Sequence, residues 1–449
     1  MASDRMRVVL GLVGLLVAAR THAQEPPPPA DPEPTALEAR VHALEEANAA
    51  LVAELAAQEL AQSADRPSLR FYGFADFNLL RAWPTEDHPL RSVAPGGVLF
   101  ALGNLNLYAA ANLTHGVSSL FEVRFSYLPN GGFDAGGEML STTVTDYNDW
   151  YRPNRWGGIV LERAHVDYAY SSYLNFRIGS WKTPYGVWNV DHGSPTLIPV
   201  GKPYPVGAAI FPNRQMGLQL FGAVLLGTTT LGYHFTLSNG RGDLDYFDYD
   251  KNKAIGGRLF VSSTALGTLT VGVSAYGGVA TQRVSLATTP GASPKIRPVS
   301  DDQYSELCLA ADVVWQLGGL HLQGELIAGQ SRYRESARRR IGVFGGLAGV
   351  EGFVPDSLSR GGYALVGYRF RWFEIMPYVL GEYLNRGYAP GLLLDPTDIG
   401  GRGARIAFGL NIRPIATVVV KPEFGYTVVP DQGDEGRLPI VLVQAAWVF

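Results

Sequence analysis

One cysteine, Cys308, stands among 449 residues, so no intramolecular disulfide can form and no cysteine-based metal site is available. The eight histidines are scattered, with no HExxH motif and no Cys/His cluster, so no metal or other cofactor is expected. No GxSxG nucleophile motif occurs, and neither Gly345-Gly346-Leu347-Ala348-Gly349 nor Gly400-Gly401-Arg402-Gly403 lies between a strand and a helix. An enzyme, including a barrel phospholipase, is therefore not expected. Charged residues make up only 17% and the net charge is −4, which leaves no basic footprint for nucleic acid. Beyond the N-terminus there is no apolar run of about 18 residues, which excludes a membrane-spanning helix. Yet 46% of the chain is hydrophobic. That apolar content has to be divided among short segments.

The N-terminus reads as a signal peptide over 1–23. Arg5 and Arg7 precede an apolar core from Val8 to Ala19, and Thr21-His22-Ala23 places small residues around a cleavage point. A retained anchor is the other reading. A Pro-rich tether follows over 24–34, a composition that favours extended polyproline. Over 35–64 the apolar spacing alternates between four and three. Val41, Asn48 and Leu55 take a positions and Leu37, Leu44 and Leu51 take d positions, which makes a short coiled coil. It serves either oligomerisation in the periplasm or as a solvated linker helix.

From Ser68 the period falls to two and stays there. Phe121, Val123, Phe125 and Tyr127 share one face, with Glu122, Arg124 and Ser126 on the other. Leu307, Leu309, Ala311, Val313 and Trp315 repeat the pattern against Glu306, Cys308, Ala310 and Asp312. Sixteen strands are expected, at 69–81, 99–113, 118–128, 158–170, 173–184, 213–225, 228–239 and 253–263, then 266–279, 303–317, 319–331, 361–371, 373–384, 403–413, 416–428 and 438–449. The connections alternate between tight turns and long polar loops. The long ones are 82–98, 129–157, 185–212, 240–252, 280–302, 332–360, 385–402 and 429–437. Such alternation places all tight turns at one end of a closed antiparallel sheet, the plan of a transmembrane β-barrel over 68–449. The last strand carries Trp447 and Phe449 on its apolar face. This ending resembles the C-terminal signature of outer-membrane barrels, which implies handling by the barrel assembly machinery.

Leu161–Gly186 reads LERAHVDYAYSSYLNFRIGSWKTPYG. It is followed in order by Pro212–Gly217, Ser238-Asn239-Gly240 and Asp250–Leu259. Together these resemble the phosphate-selective porin O and P family of sixteen-stranded trimeric outer-membrane porins. The likeness spans about 69–449. It implies a homotrimer, a third loop folded into the lumen, and passive diffusion of ions and small hydrophilic solutes such as phosphate or carboxylates. The competing reading is a structural or adhesive barrel with a blocked lumen, tethered by its coiled coil.

Alternation then assigns the inner wall. Arg70, Arg124, Arg163, Arg177, Arg258, Arg369, Arg405, Arg413 and Lys421 point inward, as do Asp76, Glu122, Asp167, Glu306, Asp312, Glu325, Glu382 and Glu423. Arg124, Arg163 and Arg177 form a basic ladder near mid-height. It acts either as a field opposed to Glu306, Asp312 and Glu325, or as cross-strand pairs of Arg124 with Glu122 or Asp167. The constriction loop carries Asp191, His192 and Lys202, flanked by Lys182 and Arg214. It lacks the dense arginine and lysine set of the phosphate-specific members. Tyr72, Phe74 and Tyr108 are wall fillers or a sugar slide. Arg241-Gly242-Asp243 spells an adhesion tripeptide that chance explains. The basic stretch Arg332 to Arg340 suits either contact with lipopolysaccharide or plain solvation.

Overall fold

The computed structural model describes residues 68–449 except 86–96, 115, 127–131, 134–138, 141–157, 191–192, 208–209, 242–251, 286–297, 335–355, 371–373, 388–401 and 432–433. The expected signal peptide, tether and coiled coil, with Leu37, Val41, Leu44, Asn48, Leu51 and Leu55, lie outside the described residues. So do Asp191, His192 and Arg338 to Arg340.

Sixteen antiparallel strands close into one barrel. They are β1 (Ser68–Ala82), β2 (Leu99–Thr114), β3 (Val117–Ser126), β4 (Gly158–Ala169), β5 (Asn175–Lys182), β6 (Arg214–Leu226), β7 (Thr229–Ser238) and β8 (Ala254–Ser263). There follow β9 (Thr268–Ser285), β10 (Pro298–Leu317), β11 (Leu320–Tyr333), β12 (Ser357–Tyr368), β13 (Ile375–Asn385), β14 (Arg402–Ile415), β15 (Val418–Asp431) and β16 (Asp434–Val448). Each strand pairs with its neighbours in sequence, and β1 closes on β16 with Phe74 opposite Val448 and Ala82 opposite Ile440. The last residue joins the seam. The Phe449 amide donates to the Gly73 carbonyl at 3.0 Å, and Gly73 returns a bond at 2.9 Å. Closure satisfies every ladder group that an open edge would leave bare, which a sheet in lipid requires.

The outer face is apolar and exposed. Phe121, Val166, Ile178, Leu307, Leu309 and Val313 point out, while Glu122, His165, Glu306, Cys308 and Asp312 point in and are buried. Aromatics gather at the tight-turn end, with Tyr168 beside Phe176 at 6.4 Å and Tyr368 beside Phe370 at 5.0 Å. Such a belt is what an aromatic girdle at a membrane interface consists of.

Several boundaries depart from the sequence reading. The connections expected at 280–302 and 429–437 are partly strand, since β9 runs to Ser285, β10 starts at Pro298, and Asp431 pairs with Asp434. At the long-loop end both faces of a hairpin meet water, so apolar alternation stops while the backbone ladder continues. β5 begins only at Asn175, behind the turn 170–174. Arg177 is thus two residues into its strand. Arg124 is seven residues past Val117, so the three arginines descend the wall instead of standing level.

A bulge changes one side chain's address. The pairing of β3 with β4 slips between Glu122 and Val123, so that Glu122 faces Arg163 and Val123 faces Leu161. Strict alternation sends Glu162 outward. The extra residue turns it inward, where it is buried.

Candidate functional site

The described residues of 183–213, between β5 and β6, enter the barrel and dock on its inner wall. One short helix, α1 (Tyr204–Gly207), lies within it. Wall carboxylates hold its amides. Glu325 on β11 accepts from Val187 at 2.9 Å and Trp188 at 2.8 Å, and Tyr363 Oη adds a third bond at 2.8 Å. Glu382 on β13 accepts from the Tyr204 amide, and Glu423 on β15 from the Val200 amide at 3.1 Å. Asp76 on β1 accepts from Ser194 Oγ. Wall donors hold its carbonyls. Lys421 reaches Ser194 O and Pro199 O, Arg413 reaches Pro195 O at 2.6 Å, and Asn411 reaches Ile198 O at 3.1 Å. Gly186, with φ of 71°, makes the turn over Glu325, where an added Cβ would lie 2.1 Å from the carboxylate.

An apolar core reinforces the docking. Loop residues Tyr185, Trp188, Val206, Ile210 and Phe211 pack against Tyr276, Ile327 and Tyr363 of the inner wall. Each fully buried aliphatic or phenylalanine side chain here contributes about 1.5–3 kcal/mol. Burial pushes the phenols of Tyr185 and Tyr204 up.

The opposite wall, β3 to β6, stays charged. Arg163 Nε lies 2.9 Å from Glu122, Arg124 Nε 3.2 Å from Glu162, and Arg177 Nε 2.7 Å from Asp167. Lys182 also pairs with Glu162, and Arg214 lies 3.8 Å away. The ladder is therefore ion-paired, and Arg124 takes the bulged Glu162 in place of Glu122 or Asp167. The acidic group expected to oppose it is engaged as well. Glu306 pairs with Arg241 at 3.1 Å, Asp312 with Arg258, and Glu325 with loop amides. A simple field between two bare rows does not exist.

Which charge faces the lumen is set by which partner is on top. Glu122 and Glu162 are 0% and 4% exposed, whereas Arg124, Arg163 and Arg214 keep 30%, 19% and 16%. Only Asp167, at 22%, is as open as its partner Arg177 at 24%. Lys202 adds a further charge from the loop. Burial, with the nearby Lys182 and Arg124 cations, lowers its ammonium to about 8. Among the described residues the face carries six cations (Arg124, Arg163, Arg177, Lys182, Lys202, Arg214) against three carboxylates (Glu122, Glu162, Asp167), a surplus of three.

The remaining expected residues fall elsewhere. Arg405 on β14 braces Glu382 at 3.1 Å and also pairs with Glu423, as a strut under the loop. Arg369 sits at a tight turn beside Glu374 at 3.3 Å. Tyr72 stacks on Tyr108 at 4.8 Å, and Tyr108 donates to Glu122 at 2.7 Å, so this pair orients the carboxylate. Arg241 of the adhesion tripeptide turns inward onto Glu306 and the Ile210 carbonyl. Cys308 faces the lumen as alternation requires, but is 2% exposed and donates to Ile210 O at 3.2 Å. Alternation gives direction and not depth, because the loop that covers the wall belongs to another part of the chain. Glu162 and Asn411 escaped the sequence reading, the first through the bulge and the second because it is uncharged.

Comparison with solved structures gives an anion-selective porin from Comamonas acidovorans at 12% identity and TM-score 0.50, covering 86% of this chain and 100% of that one. The fold is that of the sixteen-stranded porins. A loop-deletion form of OmpT, an outer membrane protein of Vibrio cholerae, gives 10% identity and TM-score 0.49, with 86% and 100% coverage. OmpF of Salmonella typhi gives 12% and 0.48, with 85% and 97% coverage. No protein-family model and no curated protein matches the chain.

Proposed function

We propose that the chain is a passive porin of the bacterial outer membrane, through which ions and small hydrophilic solutes diffuse, anions ahead of cations. The observation that carries this is the inner wall of β3 to β6, where cations face the lumen and most of their carboxylate partners lie buried beneath them. Barrels of sixteen strands leave an aqueous channel, and inward charge then sets selectivity. The Comamonas acidovorans porin, which has the same fold, is anion-selective and so supports this sign of preference.

The narrower resemblance to the phosphate-selective O and P family belongs to this proposal. Lys182, Lys202 and Arg214 are a sparser set than phosphate specificity uses, so small carboxylates fall within the reading alongside phosphate. The signal peptide delivers the chain to the periplasm, and the barrel assembly machinery inserts it from its Trp447–Phe449 end. The coiled coil over 35–64 then joins three copies on the periplasmic side. The external loops, with Arg332 and Arg334, meet lipopolysaccharide.

A blocked barrel is the second reading, favoured by the apolar core between the loop and the β9 to β12 wall. Planar bilayers separate the two. The porin gives ohmic steps in groups of three, whereas full surface exposure with no conductance supports the blocked barrel.

A further inference from the structure

The lumen wall below the docked loop carries a second feature. On β5 to β8, toward the tight turns, five side chains form one continuous row. Arg177 Cζ lies over the Phe221 ring at 5.2 Å. Phe221 and His234 follow at 6.0 Å with planes 18° apart, then His234 and Phe260 at 6.0 Å and 24°. Arg258 Cζ closes the row, 5.1 Å over Phe260. The register builds it, since Phe221 pairs with His234 and His234 with Arg258 across three adjacent strands. A glycine makes room for it. Gly232 sits opposite Phe260, and a Cβ there would fall 2.1 Å from the phenyl ring.

Wall filling does not account for this panel. The aromatics that fill the other wall, Tyr276, Tyr363 and Tyr378, are 1–4% exposed beneath the loop. Phe221, His234 and Phe260 stay partly exposed, with His234 held to the wall by Gln219 Nε2 at 2.8 Å. The arginines at the two ends are held in fixed orientation. Arg177 gives Nε and Nη2 to Asp167, both at 2.7 Å, and Arg258 gives the same two nitrogens to Asp312. Among the described residues Nη1 of each is unused. Three near-parallel rings flanked by two oriented guanidinium groups suit a planar ring with an acceptor at its rim.

We propose that this row is a binding subsite for small aromatic carboxylates of the benzoate class, which stack on Phe221, His234 and Phe260 and place the carboxylate on an arginine Nη1 edge. The proposal refines the solute class of the porin reading and rests on it. Each arginine is already balanced by an aspartate, so ring stacking supplies the discrimination and charge supplies little. The probe is 4-fluorobenzoate, observed by fluorine NMR line broadening with the full-length refolded barrel in detergent micelles. Benzoate should compete about two- to tenfold better than cyclohexanecarboxylate, the range expected for one aromatic stack. The Phe221→Leu/Phe260→Leu variant, checked for heat-resistant migration on gels, should remove that difference. His234→Gln, which keeps a polar group of similar size, should reduce it. Equal competition by the two acids, or a preference that survives the double variant, overturns the subsite. Conductance in KCl is measured separately on the same preparation, so a barrel that binds benzoate but does not conduct refutes the porin reading and leaves the subsite standing.

Discussion

At the scale of single residues, the lumen is organised by who covers whom. Glu325 is nearly buried and accepts three hydrogen bonds, two of them from the docked loop. Bonds to a charged acceptor contribute about 1.5–3 kcal/mol each. Glu325→Ala should lower the melting temperature of the folded barrel in micelles and make its single-channel current noisier, while an unchanged trace would show that the apolar core alone holds the loop. Cys308 reports on the same docking. A water-soluble maleimide should label it slowly in the native barrel and markedly faster in Glu325→Ala, as mass spectrometry would show. Lys202 supplies a pH dependence. Burial disfavours its charged form, so the ammonium is present below about 8 and lost above it. Raising the pH from 7 to 9 removes one positive charge from the constriction and should reduce anion preference. Lys202→Met should begin at the reduced value and respond less to the same change, as reversal potentials would show.

At the scale of elements, period-two alternation made the strands legible because lipid on one side and water on the other impose opposite demands on successive residues. The tightness of turns such as Leu226 to Thr229 fixed strand order and polarity. Legibility ended where that asymmetry ended. Above the apolar belt, Asp431 and Asp434 still pair although nothing in their composition marks a strand. At the β3–β4 bulge the count slipped by one and Glu162 changed face. The site was readable in direction only. Arg124, Arg163 and Glu122 are legible as inner-wall residues, but the loop that buries Cys308 and Glu325 comes from far along the chain, 98 residues from Cys308 to Ile210 and 137 from Glu325 to Trp188. The closing seam gives a test at this scale. Deleting Phe449 removes both hydrogen bonds with Gly73, and the folded, heat-resistant fraction recovered from refolding should fall. Full recovery would mean that the preceding pairs, Phe74–Val448 to Ala82–Ile440, suffice to close the barrel.

At the scale of the whole molecule, two stretches of the barrel wall do different work. β9 to β15 with β1 grip the loop through carboxylates, Lys421, Arg413 and Asn411, and β3 to β6 present the charged face that borders the path. The proposed trimer lies outside this division. Removing 24–64 should abolish trimers in native electrophoresis and leave the conductance of each unit step unchanged, whereas persistent trimers would assign assembly to the barrel wall. The proposed open path runs past a wall whose surplus charge is positive. Its most direct test is the reversal potential of the reconstituted protein across a tenfold KCl gradient at pH 7. The sign of that potential should show chloride passing ahead of potassium, and its size should diminish in Arg124→Gln/Arg163→Gln. A potential of the opposite sign, or a membrane that never conducts, would contradict it.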